Sequence, residues 1–132
     1  MIGMLLLALV LGALFAAAGW GQTAYAVDIT SKDHIGSYLV DAQGMTLYTF
    51  KRDSRGKSTC TGECIAMWLP FYSQSTTPRP GLSESHFGAI KRKDGKRQVT
   101  YKGMPLYYFT DDKKPGDTNG NGVYYLWVPA TP

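Results

Sequence analysis

The chain has 132 residues, 44% of them hydrophobic and 18% charged, with a net charge of +4 and two cysteines. That is one domain's worth of chain, before any targeting segment is removed. A charge this small supports only weak, salt-sensitive attraction to an anionic partner.

Met1 to Trp20 holds no charged side chain and is dominated by Leu and Ala. Gly19, Gly21, Gln22 and Thr23 break the run, and Ala24-Tyr25-Ala26 sets small residues at the −3 and −1 places of a cleavage site. About 20 apolar residues can also span a bilayer. The polar break and the A-x-A site point instead to a signal peptide over residues 1–26, although no Lys or Arg precedes the run. The expected mature chain is Val27 to Pro132, periplasmic or secreted, with no stable membrane anchor. Export removes nucleic acid as the partner of its basic charge.

Ser37 to Asp41 (SYLVD) alternates weakly, and Met45 to Phe50 (MTLYTF) is rich in aromatic and β-branched residues. Joined by Ala42-Gln43-Gly44, the two read as a hairpin. Thr61 to Trp68 (TGECIAMW) suggests a short helical turn after Cys60, capped by Thr59 or Thr61. Ser73 to Gly81 (SQSTTPRPG) is a linker without regular structure. Phe87 to Lys91 (FGAIK) meets Gln98 to Tyr101 across Asp94-Gly95, a pair suited to a tight turn in which both residues take positive φ. Arg97 to Tyr101, Lys102-Gly103 and Met104 to Phe109 (MPLYYF) form a further hairpin, with Pro105 at an edge or facing away from a neighbour. Lys113 to Gly122 (KKPGDTNGNG) is dense in turn formers, and Val123 to Val128 (VYYLWV) reads as the last strand. The expected fold is mostly β, built of antiparallel hairpins.

These elements repeat. Gly44 to Asp53 (GMTLYTFKRD) returns as Gly103 to Asp112 (GMPLYYFTDD) at an offset of 59 residues. At the same offset Val40 falls on Val99, Thr59 on Thr118, Trp68 on Trp127 and Pro70 on Pro129. The mature chain is therefore read as two copies of one unit, about 37–72 and 96–131. Neither copy is long enough to bury a core alone, so the pseudo-symmetric pair should pack as one domain over 27–132. Trp68 and Trp127 should occupy equivalent buried places, each beside its own copy's Tyr-x-Phe strand.

Each copy carries Tyr-x-Phe-x-x-Asp: Tyr48, Phe50 and Asp53, then Tyr107, Phe109 and Asp112. Strand residues two apart share a face. The aromatic pairs are expected to fill the core and the aspartates to cap backbone N–H groups of the next turn; alternatively, Tyr and Asp line a site between the copies. Together with Tyr38 to Phe50 (YLVDAQGMTLYTF), Cys60 to Cys64 (CTGEC) with Trp68, Val99 to Phe109 (VTYKGMPLYYF) and Pro115 to Gly120 (PGDTNG), this motif resembles the secreted or lipoprotein repeat proteins named for Yx(FWY)xxD. The resemblance covers essentially the whole mature chain. It implies a bacterial exported protein of two such units and no established activity. Many relatives carry a lipid-modified Cys, absent here, which implies a form that is not lipid-anchored. The usual Trp-Pro-Pro is Trp68-Leu69-Pro70.

Cys60 and Cys64, in an oxidising compartment, are expected to form a disulfide. A metal site would need further ligands from His34 and His86, or, for Cu(I), from Met45, Met67 and Met104. Copy two has no cysteines, and Asp117-x-Asn119-x-Asn121-Gly122 matches the opening of a calcium loop without its final acid; a plain Asn/Gly turn has the same letters. Lys91, Arg92, Lys93, Lys96 and Arg97 surround Asp94-Gly95. They form either a solvated hairpin tip or a patch for an anionic envelope component. No nucleophile–base pair or phosphate loop emerges. The sequence thus reads as a non-enzymatic envelope protein, without a cofactor, in a binding or structural role. The rival reading is a periplasmic redox or copper-handling protein using Met, His and Cys side chains.

Overall fold

A computed structural model describes residues 25–132; the apolar run of the expected signal peptide lies outside the described residues. Among the described residues nine strands run in antiparallel pairs. β1 (Val27–Lys32) and β2 (Gly36–Asp41) form a hairpin registered from Val27↔Asp41 to Lys32↔Gly36. β1 is an element the sequence reading missed, because only Val27 and Ile29 mark its inward side. The hairpin expected between β2 and Met45–Phe50 survives only beside its turn. Val40 bridges Thr46 and the Leu47 N–H donates to the Leu39 carbonyl (3.0 Å), after which β3 (Tyr48–Phe50) leaves for another sheet.

Copy two repeats this course. β5 (Phe87–Lys91) pairs with β6 (Arg97–Tyr101) from Phe87↔Tyr101 to Lys91↔Arg97. Only Gly95 takes positive φ at the tip, and the Arg92 N–H donates to the Lys96 carbonyl (2.9 Å). The turn therefore has Lys93, Asp94 and Gly95 as its loop, rather than the two-residue Asp-Gly turn expected. β7 (Met104–Pro105) pairs with the end of β6 at the sheet edge, a place that tolerates Pro105, which has no N–H to donate. β8 (Tyr107–Phe109) then departs as β3 does.

The two turns differ in length, and this corrects the repeat alignment. Copy one passes from Asp41 to Met45 through Ala42, Gln43 and Gly44. Copy two needs only Lys102 and Gly103, at φ 49° and 84°. Before the turn the structural offset is therefore 60, and Leu39, not Val40, is the counterpart of Val99. The bonds prove it. Leu39 N–H donates to Ala130 (2.8 Å) as Val99 does to Phe71 (2.9 Å), and Ala130 N–H donates to Leu47 (2.8 Å) as Phe71 does to Leu106 (2.9 Å).

The copies are interleaved. β4 (Trp68–Pro70) ends copy one and β9 (Trp127–Pro129) ends copy two, and the central sheet has the order β4-β8-β3-β9. Each copy's last strand thus pairs with the other copy's Tyr-x-Phe strand, Trp68 opposite Phe109 and Trp127 opposite Phe50. The expectation that each Trp sits beside its own strand is corrected on this point. Alternation along the four strands then builds two cores. Leu47, Leu106, Phe71 and Ala130 face the two hairpins, with Leu39 and Val99. Tyr48, Phe50, Tyr107, Phe109, Trp68 and Trp127 face the other side, with Cys60.

Two long loops cover the aromatic core. In copy one it holds α1 (Glu63–Met67), whose start at Gly62 has no side-chain cap; Thr59, one of the two expected caps, is engaged elsewhere. In copy two, Val123–Tyr125 is a 3₁₀ turn and not the start of a strand. Tyr124 and Tyr125 take φ 52° and 57°, and β9 begins only at Trp127. The linker runs beside β1, where Thr77 accepts from the Ala26 N–H (2.8 Å) and Pro78 bridges Val27.

Candidate functional site

The Tyr-x-Phe-x-x-Asp residues converge at the copy interface, but crossed. Tyr48 of copy one donates to Asp112 Oδ2 of copy two (2.7 Å), and Tyr107 of copy two donates to Asp53 Oδ2 of copy one (2.6 Å). The other carboxylate oxygen of each Asp caps a loop, Asp53 accepting from the Thr59 N–H (2.7 Å) and Asp112 from the Asn119 N–H (2.9 Å). Both tyrosines are wholly buried. Burial first, then the bond to the partner carboxylate, drives both hydroxyls far above the usual tyrosine range. Burial likewise pushes the Asp112 carboxyl up, against the lowering effect of the Tyr48 and Asn119 bonds. These groups are hydrogen-bonded to one another across the copy interface.

Between the pairs lies a four-ring stack. Phe50 stacks on Trp127 (4.2 Å), Trp127 on Trp68 (3.7 Å, planes within 1°) and Trp68 on Phe109 (4.2 Å). Tyr48 meets Trp68 edge-on at 5.4 Å and Tyr107 meets Trp127 edge-on at 5.1 Å. Such ring pairs contribute about 0.5–1.5 kcal/mol each beyond buried area.

Cys60 and Cys64 form a disulfide, with Cys60 wholly buried. Neither sulfur is a thiolate ligand in this form. His34 lies in the β1–β2 turn and His86 packs edge-on against Tyr101. Among the described residues no group of three or more His, Cys, Asp or Glu side chains could hold a metal ion. The calcium-loop residues are spent within their own loop. Asp117 Oδ2 accepts from the Lys113 N–H (2.8 Å) and the Lys114 N–H (3.1 Å), bonds that hold its pKa below the usual range, and Asn119 Nδ2 donates to the Asp111 carbonyl (3.3 Å). The Asn121 N–H closes a turn onto Thr118 (3.1 Å).

The basic residues divide. Arg92 turns inward: Nη1 donates to Ser58 Oγ and Gln98 Oε1 (both 2.8 Å) and Nη2 to the Cys60 carbonyl (2.6 Å). Ser58 lies 2.6 Å from Tyr107 Oη, whose own proton goes to Asp53, so Ser58 is the donor. A relay thus runs Arg92, Ser58, Tyr107, Asp53, changing copy at every step, and such chains polarise their members. Lys32, the counterpart of Arg92 at offset 60, clasps the other loop, donating to Gly116 O (2.7 Å) and Thr118 Oγ1 (3.1 Å). Linear reading missed both clasps, because the pairing of Lys32 with Arg92 shows only once the turn deletion is placed.

Lys91 and Lys93 remain exposed and line a groove of about 700 Å³ between the hairpin tip and the Cys60 loop, which adds Lys57, Ser58, Thr61 and Ile65. Lys96 and Arg97 face a second depression beside Ser73 and Gln74. Tyr72 stands between the two; its hydroxyl reaches Asp94 at 3.4 Å and its ring lies under Lys96 Nζ at 5.3 Å. The only ion pairs among the described residues, Arg79 with Asp28 and Lys114 with Asp117, involve none of these cations.

Interleaved antiparallel strands from two copies of one unit define a tandem-repeat β domain. Residues 29–71 and 88–131 each match a family described as a secreted repeat of unknown function, and the chain belongs to that family. Both matches begin inside the outer hairpin strand or its start, ahead of the expected repeat bounds at 37 and 96. No curated protein and no solved structure matches the chain. The family is described as secreted, and no helix among the described residues is long and apolar enough to cross a membrane.

Proposed function

We propose that this exported protein is a non-enzymatic binding domain of the bacterial envelope, periplasmic or released, that engages an anionic envelope component through the 91–97 hairpin tip. One observation carries the reading: Lys91, Lys93, Lys96 and Arg97 are exposed around one turn, and among the described residues no carboxylate forms an ion pair with any of them. Arg92 serves the fold. Clustered cations of this kind give an attraction that acts over about one Debye length and weakens with salt. The non-catalytic part of the proposal is supported by the Tyr–Asp pairs, which are buried and mutually satisfied.

The test is sedimentation with vesicles containing anionic lipid and with anionic polysaccharide, at low and high salt. Binding should fall with salt and be lost when Lys91, Lys93, Lys96 and Arg97 are changed to Gln. Binding that survives that quadruple change would refute the assignment.

A further inference from the structure

We infer that the groove between the Cys60 loop and the 91–93 side of the hairpin is a site for a single-tailed lipid phosphate. The inference rests on the envelope-binding reading and names the ligand class that one part of the surface would select.

The repeat itself separates what the fold needs from what it does not. Around the Lys32 clasp, the positions equivalent to Lys91 and Lys93 are Ser31 and Asp33; because Thr118 takes the Lys32 bond as Ser58 takes the Arg92 bond, the loop offset here is 60 and Lys57 corresponds to Asp117. The same clasp therefore closes with two carboxylates and a hydroxyl where the Arg92 side has three ammonium groups. Those three lysines are not required to hold a loop under a hairpin. Their side chains make no hydrogen bond or ion pair among the described residues.

The groove also has apolar lining that a tail could use, although Asp94, which accepts from the Tyr72 hydroxyl (3.4 Å), borders it as well. Ile65 and Ile90 are half-buried, and the Tyr72 ring forms the far side. Three lysines on one groove suit a phosphate monoester, which carries close to two negative charges near neutral pH and offers several acceptor oxygens. A carboxylate would use only part of that charge. The groove volume of about 700 Å³ lies in the range of small-molecule sites.

The probes are dodecyl phosphate below its micelle concentration, methyl phosphate as the head alone, and dodecyl maltoside as the tail with a neutral head. Calorimetry and amide shifts read the affinity and the place. Dodecyl phosphate should bind at least about tenfold more tightly than methyl phosphate, the gain from burying roughly two methylenes. It should also bind more tightly than the maltoside, with shifts at Ser58, Thr61 and Ile90. Lys57→Gln should weaken it about tenfold, as loss of a charge-assisted contact does. Ile90→Ser should erase the advantage over methyl phosphate. Unchanged melting temperatures show that each variant is folded; if Ile90→Ser is not, Lys57→Gln alone decides. Dodecyl phosphate binding no better than methyl phosphate, or unaffected by Lys57→Gln, overturns the inference. If salt-sensitive vesicle binding persists in that case, the broader envelope reading stands; if it is absent too, both fall.

Discussion

The two loops that close the aromatic core have the same task and different means. In copy one, Cys60 is buried in the aromatic core and tied to Cys64, so a covalent link holds the helical turn. Asp53 and Asp112 accept from Thr59 and Asn119, so the place equivalent to Cys60 in copy two is Gly120, pressed so closely on the rings that an added Cβ would lie 2.8 Å from Trp68 Cη2 and from two Tyr48 ring atoms. Its N–H donates to the Tyr48 hydroxyl (3.1 Å), and Asp117 ties the loop's start. A duplicated unit can thus keep a core while one copy relies on a crosslink and the other on close approach and hydrogen bonds.

The largest expected effect tests whether the loops cover one core. Trp68→Ala or Trp127→Ala removes the centre of the ring stack and should cost about 3–5 kcal/mol, a large part of a small domain's stability. Because β4 and β9 pair across the copies, each variant should melt in a single transition seen equally by signals from both halves. Two transitions would show that the copies fold separately.

Gly120→Ala is the sharper probe of copy two. The ring atoms it would strike are held by the stack, and overpacking of this kind costs roughly 1–3 kcal/mol. Thermal melts showing no loss would mean that the loop yields freely and that close approach does not secure it.

Tyr48→Phe and Tyr107→Phe compare the loops directly. Each leaves a buried carboxylate oxygen unsatisfied, at roughly 1–3 kcal/mol. Tyr48→Phe should be the costlier of the two in oxidised protein, because the loop it releases has no crosslink. Under reductant the two costs should converge. Equal costs in the oxidised form would break the comparison.

Reducing the Cys60–Cys64 bond itself should cost at most about 2 kcal/mol, since so short a closed loop removes little chain entropy. Urea titration with and without reductant measures it, and thiol labelling of the untreated protein should find no free cysteine.

The smallest effect at ordinary pH is electrostatic. Burial, and then bonds to Asp112, Asp53 and Asp41, raises the pKa of Tyr48, Tyr107 and Tyr108. Unfolded tyrosine ionises near pH 10. Above that pH the folded state keeps protons that the unfolded chain loses, so stability present below about pH 10 is lost as pH rises. Urea midpoints should be flat below that pH with respect to these groups and fall above it, and Tyr48→Phe should flatten the fall.

Several features were legible before the structure was seen. Repeated letters around Tyr48 and Tyr107 announced the duplication, because the aromatic and Asp identities are demanded by a site that occurs twice. Residues in the outer strands were not legible as repeats. Val27–Lys32 and Phe87–Lys91 share almost no letters, since a strand on a hairpin's outer side can keep its backbone pairing with many side chains. The basic stretch read as one patch because charge alone carries no direction. Arg92 points inward only because Ser58, Gln98 and the Cys60 carbonyl offer acceptors that sequence proximity does not reveal.

What the sequence by itself determined is local: strand alternation, turn chemistry, a cysteine pair close enough to bridge, and two copies too short to fold alone. Which strand pairs with which was decided only in three dimensions. The hairpins expected from the short turns hold beside those turns, but β3 and β8 then leave for a central sheet in which β4 and β9 are exchanged, and that exchange brings both tryptophans into one stack and gives each motif Asp a tyrosine from the other copy. Hydrogen bonds and ring contacts between residues more than fifty positions apart depend on both copies being folded at once, and no window of sequence contains them.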